Sequence, residues 1–213
     1  MIRAERTALV LLAAGRSRRF GDADKLTIPY LGRPLGLHVV VALEAVPFCS
    51  RIGVVADTAL DLANCGYTIV TNDDPAAGLG RSLRLGVEAA AQFDPDAILI
   101  ALADMPRVTA TQIYRLLDDA DGDAAIVASS DGVVPRPPVL FGRAHFATLL
   151  AAQGGHGRAR SGAARASYRG PARRIDRHRH AGGSGKAGAW LTSRWPLRSG
   201  CSRPSPLRLP IWR

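Results

Sequence analysis

The run Thr7-Ala8-Leu9-Val10-Leu11-Leu12-Ala13 is apolar from end to end and stops at Gly15. A strand of that kind has to be covered on both faces, which is the situation of an inner strand in a parallel sheet. The chain then repeats the theme. Leu35 to Val46 has helical spacing and halts at Pro47. Arg51 to Ala56 and Tyr67 to Thr71 read as two further strands, the second closed by the turn cluster Asn72-Asp73-Asp74-Pro75. Leu79 to Phe93 reads as a helix with Leu83, Val87 and Ala90 on one face. Ala97 to Leu102 is a fourth strand, ended by Asp104-Met105-Pro106. Thr109-Ala110-Thr111-Gln112 has the pattern of a capping box and opens a helix toward Asp118. Ala124 to Ala128 is a fifth strand, Val139 to Phe141 a sixth, and His145 to Ala152 a short helix. Alternation of this kind predicts an α/β domain with a mostly parallel sheet. Ligands of such sheets bind beyond the carboxyl ends of the strands. No internal repeat is present.

Composition divides the chain near Gln153. Residues 1–153 hold 14 basic and 17 acidic side chains, a net charge of −3, whereas residues 154–213 hold 14 basic residues and the single acid Asp176. The whole excess behind the net charge of +10 therefore lies in the last 60 residues. That segment also carries all three Trp and ten Gly but neither Val nor Phe, a composition unsuited to completing a packed core. The expected organisation is a catalytic-size domain over 1–153 and an Arg/Gly/Pro-rich, disordered or out-of-frame tail over 154–213. No apolar run approaches the roughly 18 residues a membrane span needs. Ala8 to Ala14 is short for a signal peptide and runs straight into Arg16-Ser17-Arg18-Arg19. Cys49, Cys65 and Cys201 form no CxxC pair, which argues against a disulfide framework or zinc ribbon. A cytoplasmic location is expected.

Two sites fall where an α/β sheet binds ligands. The loop Leu12-Ala13-Ala14-Gly15-Arg16-Ser17-Arg18-Arg19-Phe20-Gly21, with Lys25 beyond it, is small-residue backbone followed by cations. Such a loop can hold a polyphosphate through N–H groups, Ser17 and positive charge, or it can be a basic surface turn. It is neither a Walker A loop nor GxGxxG. Asp104 directly follows an apolar strand, where a carboxylate can hold Mg²⁺ on a nucleotide or simply start a turn. Gly78-Leu79-Gly80-Arg81-Ser82-Leu83-Arg84 opens a helix and is a weaker signal. His38 and His145 lack catalytic partners in sequence, and the Asp118–Asp123 acidic run lacks the closing Glu of a calcium loop.

Together these stretches resemble the MobA-like nucleotidyltransferases, closest to the molybdenum cofactor cytidylyltransferases. Four segments over roughly residues 6–153 carry the resemblance: L-A-A-G-x-S-x-R-x-G as Leu12 to Gly21, with Phe20 where Met is frequent; Lys25 with Gly32-Arg33-Pro34-Leu35; G-x-x-x-S-L-R-x-G as Gly78 to Gly86; and Asp104-Met105-Pro106 with Pro138-Val139-Leu140-Phe141. The resemblance implies a three-layer, Rossmann-like nucleotide-diphospho-sugar transferase fold. It implies that Leu12, Ala13, Ala14, Gly15, Ser17 and Arg19 hold the nucleotide phosphates and that Lys25 neutralises charge at the attacked α-phosphate. Gly78, Ser82 and Leu83 would border the base, Asp104 would bind Mg²⁺, and Pro138, Val139, Leu140 and Phe141 would lie on the acceptor side. The implied reaction joins molybdopterin to the nucleotide of CTP with release of pyrophosphate. Ala14, where guanylyl-transferring relatives tend to have Gly, favours CTP over GTP. A recipient molybdoenzyme or its chaperone is the implied protein partner. The alternatives are a GTP-using or other small-molecule nucleotidyltransferase of the same fold, an inactive frameshifted product, and a nucleic-acid binder. The basic tail would bind phosphate backbones without sequence preference.

The tail departs from the family pattern, which continues with G-D-x-G-A-R-A and then with D-I-D-T-P-E-D-L, the source of a second metal-binding carboxylate. Arg177 to Ser184 (RHRHAGGS) can be encoded CGA CAT CGA CAC GCC GGA GGA TCT, and the same letters read one nucleotide later give D-I-D-T-P-E-D. Gly155 to Arg160 permit the earlier stretch in that frame. One nucleotide gained, or two lost, near the Gly154-Gly155 codons accounts for both departures. Resequencing codons 150–185 is expected to show that change; DNA that stands as translated, with neither motif in an offset frame, overturns it.

Overall fold

The computed structural model describes residues 1–15, 24–130 and 134–151. Eight strands and four α-helices occupy them: β1 (Thr7–Ala13), β2 (Pro29–Tyr30), β3 (Arg33–Pro34), α1 (Leu37–Leu43), β4 (Ser50–Val55), β5 (Thr68–Thr71), α2 (Leu79–Ala91), β6 (Ala97–Leu102), α3 (Ala110–Asp118), β7 (Ile126–Ser130), β8 (Pro135–Gly142) and α4 (Phe146–Leu150). Six strands form one sheet in the order β5-β4-β1-β6-β8-β7. β1 lies inside it, parallel to both neighbours, with Val10 opposite Ile52 on one side and Ile100 on the other.

The apolar run of β1 is explained by what covers it. Leu9, Leu11 and Ala13 pack with Val39, Val40 and Leu43 of α1 and with Ile113, Leu116 and Leu117 of α3. Ala8, Val10 and Leu12 face the other way, into a second core with Val87 and Ala90 of α2 and Leu149 of α4. Successive residues thus enter opposite cores, as the two-residue period of a strand dictates. The result is the expected three-layer α/β fold. At the entry of β1 and β6, Arg6 grips Asp96 with two donors, Nε at 3.1 Å and a terminal nitrogen at 2.8 Å. That guanidinium holds the Asp96 carboxyl below the usual carboxylate range.

Several expectations are corrected. α1 starts at Leu37 rather than Leu35; the Leu35 and Gly36 amides donate back to the Ile28 and Leu26 carbonyls and tie the helix entry to the preceding turn. Its helical pattern also ends early, at Leu43. The β2–β3 hairpin was not expected; its turn residues Leu31 and Gly32 both have positive φ, 46° and 83°, as a tight hairpin requires. β8 is longer than Val139–Phe141 and runs antiparallel to β6 and β7, so the sheet is mixed at one edge. Half of the capping box forms: the Thr109 hydroxyl accepts the Gln112 N–H at 3.2 Å, but the Gln112 side chain turns instead to Ser129. Among the described residues no helix is long and apolar enough to cross a membrane.

Candidate active site

The carboxyl ends of β1 and β6 bring two predicted residues together. The Ala103 amide donates to the Leu12 carbonyl at 3.0 Å, so the two strands end level. Asp104 follows at once. Lys25 opens a single 3-10 turn, Lys25–Thr27, and its Nζ donates to Asp104 Oδ2 at 2.9 Å. Both side chains keep about a third or more of their surface exposed, 33% and 40%. A solvent-facing pair of this kind stabilises a fold little. Its chemistry is more consequential: a cation and a carboxylate are held at the sheet edge where a polyphosphate and its counter-ion would meet.

Asp24 positions that lysine, and the sequence reading passed over it. Its Oδ1 accepts the Leu26 amide at 3.0 Å and caps the Lys25 turn. Its Oδ2 accepts the Thr58 hydroxyl at 2.6 Å and the Ala59 amide at 3.2 Å. The Lys25 turn is thereby tied to the segment after β4. The only signal in sequence was an Asp immediately before a short turn.

Leu12, Ala13 and Ala14 are buried, at 6%, 5% and 8% exposure, so only their backbone can address a ligand. Gly15 is exposed, and a Cβ built on it would meet nothing within 4 Å. Among the described residues, packing therefore does not demand glycine there. Ser17 and Arg19 lie outside the described residues.

The Gly78–Gly86 segment divides differently than expected. Gly78 caps the start of α2 at φ 91°, a conformation glycine alone adopts without strain. Ser82 is not an open hydroxyl: it is buried, and Asn72 Nδ2 donates to it at 2.9 Å. Asn72 Oδ1 in turn accepts Arg81 Nε at 3.0 Å and the Asp74 amide at 3.1 Å. Arg81 also pairs with Asp73 and holds that carboxyl below its usual range. Leu83 packs against the second core. Ser82 and Leu83 thus help fasten α2 to the sheet, while Gly78 and Leu79 are exposed. Asn72, read as part of a turn cluster, is the hub of this network.

The expected acceptor-side stretch lies along β8. Leu140 is fully buried in the first core, Phe141 packs on the second, and Val139 pairs with Ile100 and Ala128. Pro138 is buried as well. Pro138 and Leu140 are buried, whereas Val139 and Phe141 stay partly exposed. The cavity beside Asp104, about 550 Å³, is lined instead by the preceding Arg136 and Pro137, together with Met105 to Val108, Gln112, Ser129 and Ser130. The two histidines prove structural: His38 Nε2 lies 2.6 Å from the Tyr30 carbonyl and His145 Nε2 3.0 Å from that of Ala124. Among the described residues no three His, Cys, Asp or Glu side chains cluster as a metal cage, the Asp118–Asp123 run included. Magnesium does not need one; it keeps several waters and takes one or two carboxylates beside substrate phosphates, a demand that Asp104 fits.

With this geometry in hand, comparison with known proteins is decisive. The sequence model of the MobA-like NTP transferase domain matches residues 9–170. The chain belongs to that family. Among curated relatives of this MobA-like chain, the bifunctional protein GlmU of Sphingopyxis alaskensis is 31% identical over 64% of the chain and 31% of its own length. Nicotine blue oxidoreductase of Paenarthrobacter nicotinovorans is 36% identical over 51% of the chain and 54% of its own length. The molybdenum cofactor guanylyltransferase of Methylibium petroleiphilum is 29% identical over 66% of the chain and 71% of its own. The chain thus spans from about a third to about half of the curated relatives it matches first. Among solved structures, a mycobacterial homolog of rv0371c from strain JC1 superposes with a TM-score of 0.58 at 27% identity, covering 70% of this chain and 75% of that one.

Proposed function

We propose that this MobA-like domain transfers a nucleotidyl group, CMP from CTP, to the phosphate of molybdopterin, in the cytoplasm and in the service of a recipient molybdoenzyme. The contact between Lys25 and Asp104 at the ends of β1 and β6 carries the reading. An acceptor phosphate oxygen attacks the α-phosphorus; the new P–O bond forms as the bond to pyrophosphate breaks. No covalent enzyme intermediate is required, so the protein contributes position and charge. Lys25 neutralises charge on the attacked phosphoryl group. The backbone after β1, kept open at Gly15, approaches the phosphates. Asp104 would hold Mg²⁺, which would supply further neutralisation of the phosphate charge. The Gly78 turn stands at the side proposed for the base.

The choice of CTP rests on Ala14, whose methyl group is buried against the second core beside the phosphate-facing backbone. Because that methyl packs in the core, Ala14→Gly acts on the ligand through the backbone freedom it adds, and it is expected to move the kcat/KM ratio of CTP over GTP a few-fold toward GTP, the scale of the about 0.5–1 kcal/mol that this freedom represents. Competition between the two nucleotides in one assay reads it. An unchanged ratio removes the basis for CTP, and preference for GTP in the unaltered protein makes the domain a guanylyltransferase.

A further inference from the structure

The cavity beside Asp104 carries polar groups that phosphoryl chemistry leaves unused. It is bounded by the apolar surfaces of Met105, Pro106, Val108 and Pro137. Its size falls within the roughly 300–1,000 Å³ of small-molecule sites. Gln112, in the first turn of α3, lines it, and its Nε2 donates to Ser129 Oγ at 2.8 Å. That bond orients both side chains. The Gln112 amide has spent a donor, and among the described residues its Oε1 accepts nothing. Ser129, being the acceptor, keeps its own hydroxyl proton to give. An acceptor and a donor therefore stand side by side on one wall.

A break in strand register puts them there. Ala128 pairs with Val139, but Ser129 pairs with Arg136, so Pro137 and Pro138 are inserted between successive pairs. The bulge re-aims the end of the β7–β8 hairpin, as bulges beside sites do. Ser129, Arg136 and Pro137 come to the cavity, which Arg107 also lines.

The complement of a neighbouring acceptor and donor is a neighbouring N–H and C=O, the lactam edge of a heterocycle. Apolar walls suit a flat ring, and the Arg107 guanidinium suits an acidic substituent on it. The geometry points to Gln112 and Ser129 as the residues that select the acceptor, by reading its lactam edge while Arg107 takes an anionic substituent. This rests on the transfer reading only for what is done to the acceptor; the edge recognition stands on the cavity.

Binding to the full-length protein tests it without turnover. Pterin carries the lactam edge; 2,4-diaminopteridine replaces it with a ring nitrogen beside an amino group, the opposite pattern on the same ring. Pterin is expected to bind about tenfold tighter, the scale of one net hydrogen bond. Gln112→Leu should abolish that preference. Gln112→Glu, closer in shape, should reverse it, because a carboxylate pairs with protonated diaminopteridine. Equal binding of both pteridines, or a preference untouched by either substitution, overturns the inference. Guanosine has the same edge on a purine: Gln112-dependent guanosine binding without pterin binding would make this the nucleotide-base site and overturn the acceptor assignment. Pterin selectivity that depends on Gln112, in a protein that transfers no nucleotide to molybdopterin, supports the edge recognition and refutes the proposed reaction.

Discussion

Lys25→Ala is expected to lower kcat for nucleotidyl transfer by about 10²–10³-fold, the usual cost of removing one preorganised charge from a developing anion. Asp104→Ala should do at least as much. Neither should unfold the protein. The two side chains are partly exposed, and exposed ion pairs contribute about 0–1 kcal/mol to stability. The melting temperature should therefore move by only a few degrees at most, roughly 2–4 °C per kcal/mol for a domain of this size. Lys25→Arg keeps the charge and should recover part of the rate. A large fall in melting temperature with little change in the rate of the folded fraction would assign the pair a structural role and remove the main support for the proposed chemistry.

Gly86→Val should have the largest effect on stability. Gly86 ends the segment that resembles a nucleotide-site motif, yet it faces the core. A Cβ there would collide with Val10 Cγ1 of β1 and would lie 2.9 Å from Val54 Cγ2 of β4. The glycine lets α2 lie close against both strands. Overpacking of this kind costs about 1–3 kcal/mol. In Gly86→Ala the gain in helix propensity, about 1 kcal/mol, offsets much of that. Valine recovers less and adds two further methyl groups, so a loss near the upper end is expected, or about 5–10 °C in melting temperature. The KM for nucleotide in the folded fraction should stay near that of the parent. A raised KM at unchanged melting temperature would return Gly86 to the nucleotide site.

The contrast between Gly15 and Gly86 shows how far a motif can be read. Both glycines stand in stretches that resemble family signatures. Among the described residues the space around Gly15 is open, so packing does not set the residue type; around Gly86 it is filled by two valines, so packing does. Spacing in sequence is blind to that difference. The same holds for Ser82, whose hydroxyl is consumed by Asn72 ten positions earlier, and for Leu140, which alternation along β8 sends into the core. Strands β1, β4, β5 and β6 were legible because each is a short apolar run ended by a turn residue. The β2–β3 hairpin was not, since strands of two residues carry no periodicity.

By itself the sequence determined the layering of the domain: apolar runs that need two covered faces, helices with one apolar stripe, and Asp104 and Gly15 at strand ends. Those are local consequences of side-chain period and backbone freedom. Tertiary structure decided which of the candidate residues meet. Lys25 and Asp104 are 79 positions apart, and only the parallel pairing of β1 with β6 brings their loops level. Gln112 finds Ser129 rather than its own helix cap because the β7–β8 bulge presents a hydroxyl within reach. Contacts of that kind depend on register between distant strands, which no local pattern encodes.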